Sequence, residues 1–198
     1  SNIWIEELIK CLDMNFDNDT VAVGGHMQVM QNWRLLSKYC NYIHNSETST
    51  QIDRNGNPAY LITANVLFYK YALVAVGGFD ERFAFAGGED KDICYRLKEK
   101  GYRLRFNPHA IVYHSPKENV FQLLKTQFNY GRGEAFIQTH NGTPQIGLYS
   151  AFRAFFSILK IPKEIFNFHK KSMCLKTSIV FGILNYFRKL SFSIGIFT

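Results

Sequence analysis

The pattern of apolar residues changes once along this chain, near Pro116, and that change constrains the fold more than any other feature. Before Pro116, segments of helical periodicity alternate with short segments typical of strands, whereas after it every apolar pattern is helical. Alternating helices and strands are typical of α/β domains. The sequence therefore predicts an α/β fold over residues 1–115 and a helical extension over residues 116–198.

The predicted elements of the first part follow from periodicity and from turn residues. Helices are predicted at 5–12, 33–43, 71–76 and 89–100, and strands at 21–25, 61–69, 102–106 and 110–114. Residues 45–58 are predicted to form an exposed loop, and Asn107-Pro108 a turn between the last two strands. Gly101 is expected to end the helix that begins at Glu89, in a left-handed conformation.

The positive charge of the chain belongs to its helical extension. Residues 1–115 contain 12 Lys and Arg against 13 Asp and Glu, whereas residues 116–198 contain 11 against 3. The predicted helices at 120–128, 149–159, 165–168 and 175–190 combine these cations with Phe and Ile, which is typical of helices at an anionic membrane surface. A soluble helical subdomain with a solvated basic face is the alternative. Nucleic acid is not a predicted partner, because no recognised binding signature accompanies the basic residues.

Two further features bear on localisation. The cysteines at 11, 40, 94 and 174 are scattered without a metal-site or disulfide spacing, which fits a reducing compartment. The longest apolar stretch near the end, 177–187, stops at Arg188-Lys189 and is shorter than the ~20 residues of a membrane span. With no signal peptide at Ser1, we expect a cytoplasmic protein that is peripheral to the membrane.

Gly87-Gly88-Glu89-Asp90 is the strongest candidate for a site of chemistry. Two carboxylates at a helix start lie where the macrodipole favours negative charge, and two glycines permit close approach of a ligand to the backbone. Such a position suits a general base. The alternative is that Glu89 and Asp90 only complement the first turn of the helix.

A series of short motifs gives the chain a family resemblance. The motifs are WIEEL at 4–8, VAVGG at 21–25, TAN at 63–65, VGGFDERF at 76–83, GED at 88–90, YRL at 95–97, GYRL at 101–104 and VYH at 112–114. In order and spacing they closely resemble family 2 glycosyltransferases with the GT-A fold. The resemblance covers residues 3–115 and implies a mixed GT-A sheet.

The resemblance implies an inverting transfer of a sugar from a nucleotide-sugar donor to an acceptor hydroxyl, usually assisted by Mg²⁺ or Mn²⁺. It assigns the general base to Asp90, with Glu89 orienting the acceptor or the loop. It also implies that Ala64, Asn65, Gly87 and Gly88 bind substrate. The acceptor would be a glycan or a lipid-linked glycan of the cell surface.

Two more assignments depend on partial matches. His114 matches the metal-contacting histidine of GT-A enzymes, although a single histidine at a strand end is commonly structural. Residues 127–133 (QFNYGRG) stand where processive relatives carry Gln-x-x-Arg-Trp, and their departure from that motif argues against processive polymerisation. Arg132 could still bind a phosphate, or be an ordinary surface arginine of a helix.

The family pattern also contains a nucleotide-binding half and an Asp-x-Asp metal motif before Trp4, and neither precedes Trp4 in this sequence. Asp17 and Asp19 have the spacing of that motif but follow the first helix, so we interpret them as turn residues. We expect the chain to be an acceptor-side half that neither binds donor tightly nor turns over alone. An uncovered sheet edge would favour a homodimer. The competing hypothesis is a non-catalytic binding module of the same fold.

Overall fold

The computed structural model describes two compact units. The described residues are 3–13, 19–30, 34–50, 52–53, 57–115, 117–140, 156–170 and 174–197. The first unit comprises residues 1–82 and 89–116, and the second comprises residues 83–88 and 117–198.

The first unit is built on a small mixed sheet. Its elements are α1 (Ile3–Asp13), β1 (Thr20–Val29), α2 (Leu35–Thr50), a 3₁₀ turn (Thr63–Asn65), β2 (Val66–Phe68), α3 (Lys70–Ala75), α4 (Glu89–Glu99) and β3 (Arg103–His114). The strand order is β2-β1-β3, with β1 antiparallel to β2 and parallel to β3. The predicted α/β class with a mixed sheet is confirmed.

Three predicted boundaries are wrong. The strand expected at 61–69 is reduced to Val66–Phe68, because residues 63–65 form a 3₁₀ turn. The turn expected at Asn107-Pro108 lies inside the continuous strand β3, where the register with β1 shifts between Gly25 and His26. A bulge accommodates the proline, which has no N–H to donate to a ladder. Helix α2 continues to Thr50, into part of the predicted loop.

Apolar side chains of the first unit form two clusters against the sheet. In the larger one, Ile93, Cys94 and Leu97 of α4 pack with strand residues Val21 and Leu104. In the smaller one, Leu8 and Leu12 of α1 pack with Val23 and Ala110. Burial of these side chains is the main favourable term that holds α1 and α4 on the sheet.

The described part of the second unit contains three α-helices. They are α5 (Val120–His140), α6 (Ile161–Lys170), which follows a 3₁₀ turn at Ser157–Lys160, and α7 (Leu175–Phe197). The helices predicted at 120–128, 165–168 and 175–190 are therefore parts of longer helices. Of the helix predicted at 149–159, residues 149–155 lie outside the described residues.

Glycines set the distance between α5 and α7. A Cβ atom added to Gly131 would collide with the carbonyl oxygen of Phe192, and one added to Gly195 would collide with that of Phe128. Only glycine permits two helix backbones to approach this closely. Ser193 of α7 is also buried. The contact therefore depends on small residues on both helices.

The length of α7 corrects one expectation from the sequence. The apolar stretch 177–187 is shorter than a span, but α7 is continuous for 23 residues, and its most apolar 18-residue window has a mean hydropathy of 1.3. It is therefore long and apolar enough to cross a membrane by length and composition, which is weak evidence taken alone. Arg188 and Lys189 interrupt it, and 33% of its most apolar window is buried within the protein.

We predict that Gly131→Ala destabilises the protein, although alanine favours a helix over glycine by about 1 kcal/mol. The reason is the collision with Phe192, which forces α5 and α7 apart. Thermal unfolding is the measurement, and the exposed substitution Lys125→Ala on the same helix, expected to change stability by less than about 0.5 kcal/mol, is the control. A higher melting temperature for Gly131→Ala would contradict the described packing.

Candidate active site

The candidate carboxylates lie in the first turn of α4. Glu89 and Asp90 are its first two residues, and Gly101, at φ 86°, follows its end in the predicted left-handed conformation. Acidic residues in the first turn and Arg96 and Lys98 in the last complement the helix macrodipole. The local sequence alone thus determines where this helix begins and ends.

One face of α4 contacts the backbone of residues 58–63. Asp90, Cys94 and Lys98 are spaced four residues apart and therefore lie in one row along the helix. Asp90 Oδ1 accepts a hydrogen bond from Thr63 N at 3.3 Å, and Cys94 Sγ accepts one from Leu61 N at 3.3 Å. Lys98 Nζ donates to the carbonyl oxygens of residues 58 and 59 at 2.7 and 2.6 Å. The row holds this segment along the helix.

Asp90 is half-buried and carries an unfavourable charge. Burial raises the pKa of its carboxyl above the ordinary value, hydrogen bonds from Thr63 oppose the rise, and the negative charge of Glu89 adds to it. The structure shows no ion pair to Asp90 from any residue that it describes. A carboxylate that is not neutralised by a cation remains available to accept a proton.

The turn next to Asp90 is attached to the sheet by Asn65. The Asn65 side chain is 2% exposed, and its amide donates to the carbonyl oxygens of His26 at 3.0 Å and Ala110 at 2.8 Å. A Cβ atom on Gly25 would collide with Ala110 O and the Asn65 amide, so glycine is required there. This geometry makes Asn65 a link between β1 and β3. Of the two residues predicted to bind substrate here, Ala64 is the exposed one.

The Gly77-Gly78-Phe79-Asp80 motif is a structural turn. Gly77 and Gly78 both have positive φ, at 78° and 73°. Arg82 binds Asp80 through Nε at 2.9 Å and a terminal nitrogen at 2.6 Å, and these hydrogen bonds lower the pKa of Asp80 to about 2. The motif follows α3 and closes it with a hydrogen bond from Gly78 N to Leu73 O at 2.8 Å.

Arg96 joins this turn to α4. Its guanidinium donates to Val76 O at 2.6 Å and to Asp92 at 2.6 Å. Asp92 is therefore committed to an ion pair, unlike Asp90 two residues earlier. Two acidic residues of one helix turn have different roles, which their environments decide.

Residues 83–88 belong to the second unit and pack on α5. Gly87 and Gly88 have φ of 150° and 98°, and a Cβ atom on Gly133 would collide with Gly87 O. Arg132 lies over the ring of Phe85, 4.1 Å from its centroid, and Phe136 meets Phe83 at 4.5 Å between centroids. Arg132 is exposed, so its predicted phosphate contact remains open to test.

His114 does not form a metal site with its described neighbours. It is exposed at the end of β3, and its Nδ1 lies 2.8 Å from Ser115 O. Among the described residues no three His, Cys, Asp or Glu side chains are grouped as a metal would require. Asp17 lies outside the described residues, and Asp19 is an exposed turn residue whose carbonyl accepts from Arg103 N. His114 as a ligand therefore stays a prediction.

The structure adds residues that the sequence did not single out. Thr63 binds Asp90, Cys94 binds Leu61 of the same segment, and Arg96 joins Val76 to Asp92. Burial raises the pKa of the Cys94 thiol to about 11, which keeps it unreactive. The four-residue spacing of Asp90, Cys94 and Lys98 was the signal for a shared helix face. Asp90 is hydrogen-bonded to Thr63, whereas His114 is hydrogen-bonded to Ser115. The described hydrogen bonds therefore do not connect Asp90 with His114.

A small cavity lies beside this turn. It has a volume of about 20 Å³ and is lined by residues that include Gly24, Gly25, Tyr60, Leu61 and Phe106. This volume accommodates about one water molecule and is too small for a sugar.

We predict that Asp90→Asn gains stability relative to the unsubstituted protein as pH rises. A carboxyl whose pKa is raised by folding costs no stability below its unfolded value of 3.8 and the full amount above its folded pKa. Asparagine removes that cost and keeps an oxygen for Thr63 N. Melting temperatures of both proteins from below pH 3.8 to neutral pH test this. A difference that does not change with pH would show that folding leaves the Asp90 pKa unperturbed.

The sequence of the chain is similar to those of known proteins. The chain is 36% identical over 138 residues to the "Pre-mycofactocin glycosyltransferase" of Mycobacterium tuberculosis, which is 67% of this chain and 28% of that protein. It is 38% identical over 64 residues to "Succinoglycan biosynthesis protein ExoA" of Rhizobium meliloti, covering 32% and 19% of the two chains. It is 31% identical over 115 residues to "Chondroitin synthase" of Pasteurella multocida, covering 57% and 11%.

The chain spans less than a third of the length of each of these relatives. A family model gives the broadest match. The model described as "Glycosyl transferase family group 2" matches residues 2–194, which is nearly the whole chain. The resemblance of its motifs is thereby confirmed, and the chain belongs to glycosyl transferase family group 2.

Proposed function

We propose that this chain supplies the acceptor side of an inverting glycosyltransferase, in which Asp90 is the general base. The observation that carries the proposal is the half-buried Asp90 carboxylate, which has a raised pKa and forms no ion pair with any residue that the structure describes. Glycosyl transfer itself follows from the family. Inversion, the role of Asp90 and the identity of the substrates are the parts that we propose.

Inversion requires that the acceptor hydroxyl attack the anomeric carbon from the face opposite the departing nucleotide. The hydroxyl loses its proton as the new bond forms, so a carboxylate must lie within hydrogen-bond reach of it. Asp90 meets the electrostatic requirement, because a raised pKa makes it a stronger base than an ordinary surface aspartate. Its hydrogen bond with Thr63 N limits the positions that the carboxylate can adopt.

A nucleotide-sugar donor implies a leaving diphosphate that must be neutralised. Divalent-metal dependence is general in family 2, and the metal would supply that positive charge. The residues described here do not by themselves fit a metal, because His114 has no second and third ligand beside it. Our proposal therefore assigns this chain the acceptor side of the reaction and derives no step through the metal.

The named relatives suggest the class of acceptor. Two of them are named for succinoglycan biosynthesis and for chondroitin synthesis, and one is named as a glycosyltransferase for pre-mycofactocin. We propose a glycan or lipid-linked glycan acceptor at the membrane face. The basic, aromatic helices of the second unit would bring the enzyme there.

Replacing Asp90 by Asn in the full-length enzyme tests the role of the base. We expect the rate constant of transfer to fall by about 10²- to 10⁴-fold, because no carboxylate remains to take the proton from the attacking hydroxyl. Release of nucleoside diphosphate from a panel of nucleotide sugars, with membranes as the source of acceptor, is the measurement.

Asp92→Asn is the matched control, because it makes the same chemical change two residues further along α4. Asp92 pairs with Arg96, so we expect lower thermal stability and nearly unchanged transfer. Equal turnover for Asp90→Asn and the unsubstituted enzyme would exclude Asp90 as the base. Binding of a glycan without any turnover in the full-length protein would favour the non-catalytic module.

Glu89→Gln provides an independent prediction. The negative charge of Glu89 raises the pKa of Asp90, so its removal should lower that pKa. The base must be ionised to act, and the acidic limb of the pH–rate profile should therefore move to lower pH. The measurement is the pH at the midpoint of this limb, which is compared between the two proteins independently of their maximal rates. A limb that moves to higher pH would contradict the assignment.

A further inference from the structure

We propose that residues 156–170, the 3₁₀ turn and helix α6, form the surface that binds an anionic lipid bilayer. We call these residues the lipid-binding segment. The proposed function places the enzyme at a membrane, and this inference identifies the lipid surface to which it binds there. It rests on the proposed function only for the membrane location. It is supported by exposure, charge and the way in which the segment is anchored.

The lipid-binding segment exposes large apolar side chains in close succession. Leu159 is 76% exposed and Phe166 is 65% exposed, and Phe156 and Ile158 are each nearly half exposed. A single exposed apolar side chain is ordinary, but four within eleven residues form a surface that water disfavours. Their insertion among lipid acyl chains would remove that cost.

The charges of the segment match an anionic surface. Lys160, Lys163 and Lys170 are exposed, whereas Glu164 is the only carboxylate in the segment. Glu164 accepts hydrogen bonds from Asn185 at 2.9 Å and from Lys189, both on α7. Its charge is thereby neutralised within the protein, and the exposed charges that remain are cationic. Lysines beside inserted apolar groups are the pattern of an interfacial segment.

Contacts with α7 anchor the segment and determine which side chains remain exposed. Phe168 is buried with its ring 5.7 Å from that of Phe181, and Ile165 lies where a Cβ atom on Gly182 would be. Phe166 and Lys163 are left on the exposed part of the helix. The segment does not need to fold on binding, so little conformational entropy is lost.

Charge and side-chain chemistry favour a bilayer over the other partners. The phosphates of a nucleic acid would bind the lysines. A nucleic acid would, however, give Leu159 and Phe166 little apolar surface to contact. A second copy of the same segment would bring like charges together at Lys160 and Lys163. An anionic bilayer would accommodate the apolar side chains among its acyl chains and the lysines at its anionic headgroups.

Vesicle flotation of the 198-residue chain tests the proposal. We expect binding to vesicles of phosphatidylcholine and phosphatidylglycerol in equal parts, and little binding to phosphatidylcholine alone. The double variant Leu159→Ser/Phe166→Ser should bind roughly tenfold more weakly or worse. Lys160→Gln/Lys163→Gln should lose roughly fivefold for each lysine removed.

Matched controls come from the first unit. Val74, which is 70% exposed on α3, and Lys100, which is exposed after α4, offer the same chemistry outside the segment. Val74→Ser and Lys100→Gln should bind vesicles as the unsubstituted chain does. Fluorescence adds a second readout: Phe166→Trp should show a blue shift with anionic vesicles and quenching by brominated lipids, and Val74→Trp should show neither.

Several results would overturn the proposal. The first is no binding to anionic vesicles, and the second is equal binding by the Leu159→Ser/Phe166→Ser variant. The third is binding of that double variant that resists high salt and alkaline extraction, which would indicate that α7 spans the membrane. Self-association lost in that variant, without lipid binding, would identify a second copy as the partner. Asp90→Asn should bind vesicles normally, so a failure here leaves the test of the general base unaffected.

Discussion

The row of contacts between α4 and residues 58–63 is the constraint on which the site depends. Asp90, Cys94 and Lys98 each bind backbone of that segment, and the segment leads directly into the turn that Asn65 ties to β1 and β3. Any shift of α4 along its axis would break all three contacts together. The position of the Asp90 carboxylate relative to the sheet is therefore set by several independent contacts, as a site of chemistry requires.

Asp90 contributes to structure and is proposed to contribute to catalysis. Its hydrogen bond favours the folded state, whereas its buried charge disfavours it. Its hydrogen bond with Thr63 N helps to hold the loop, while burial beside Glu89 makes its charge unfavourable. Asp92 on the same turn shows the alternative, since an ion pair with Arg96 stabilises its charge. Among the described residues Asp92 has an ion pair and Asp90 has none, which agrees with the proposed role of Asp90 in proton transfer.

Glycines determine the packing of both units, for different reasons. Gly25 lets Asn65 reach across β1 to β3, and Gly133 and Gly131 let residues 83–88 and α7 approach the backbone of α5. In the second unit Gly182 also lets Ile165 of α6 pack closely on α7, while Leu159 and Phe166 of the lipid-binding segment stay exposed.

The sequence alone was enough to identify the family, the α/β class and the limits of α4, because these depend on local signals such as Gly101, the acidic first turn and the order of short motifs. It could not show that Thr63, Cys94 and Lys98 lie together, since that contact joins residues distant in sequence. It also placed a turn at Asn107-Pro108 and a strand through Asn65, where pairing with β1 and the Asn65 hydrogen bonds override local preference. The raised pKa of Asp90 comes mainly from burial, which exists only after the chain has folded, and the sequence neighbour Glu89 adds to it.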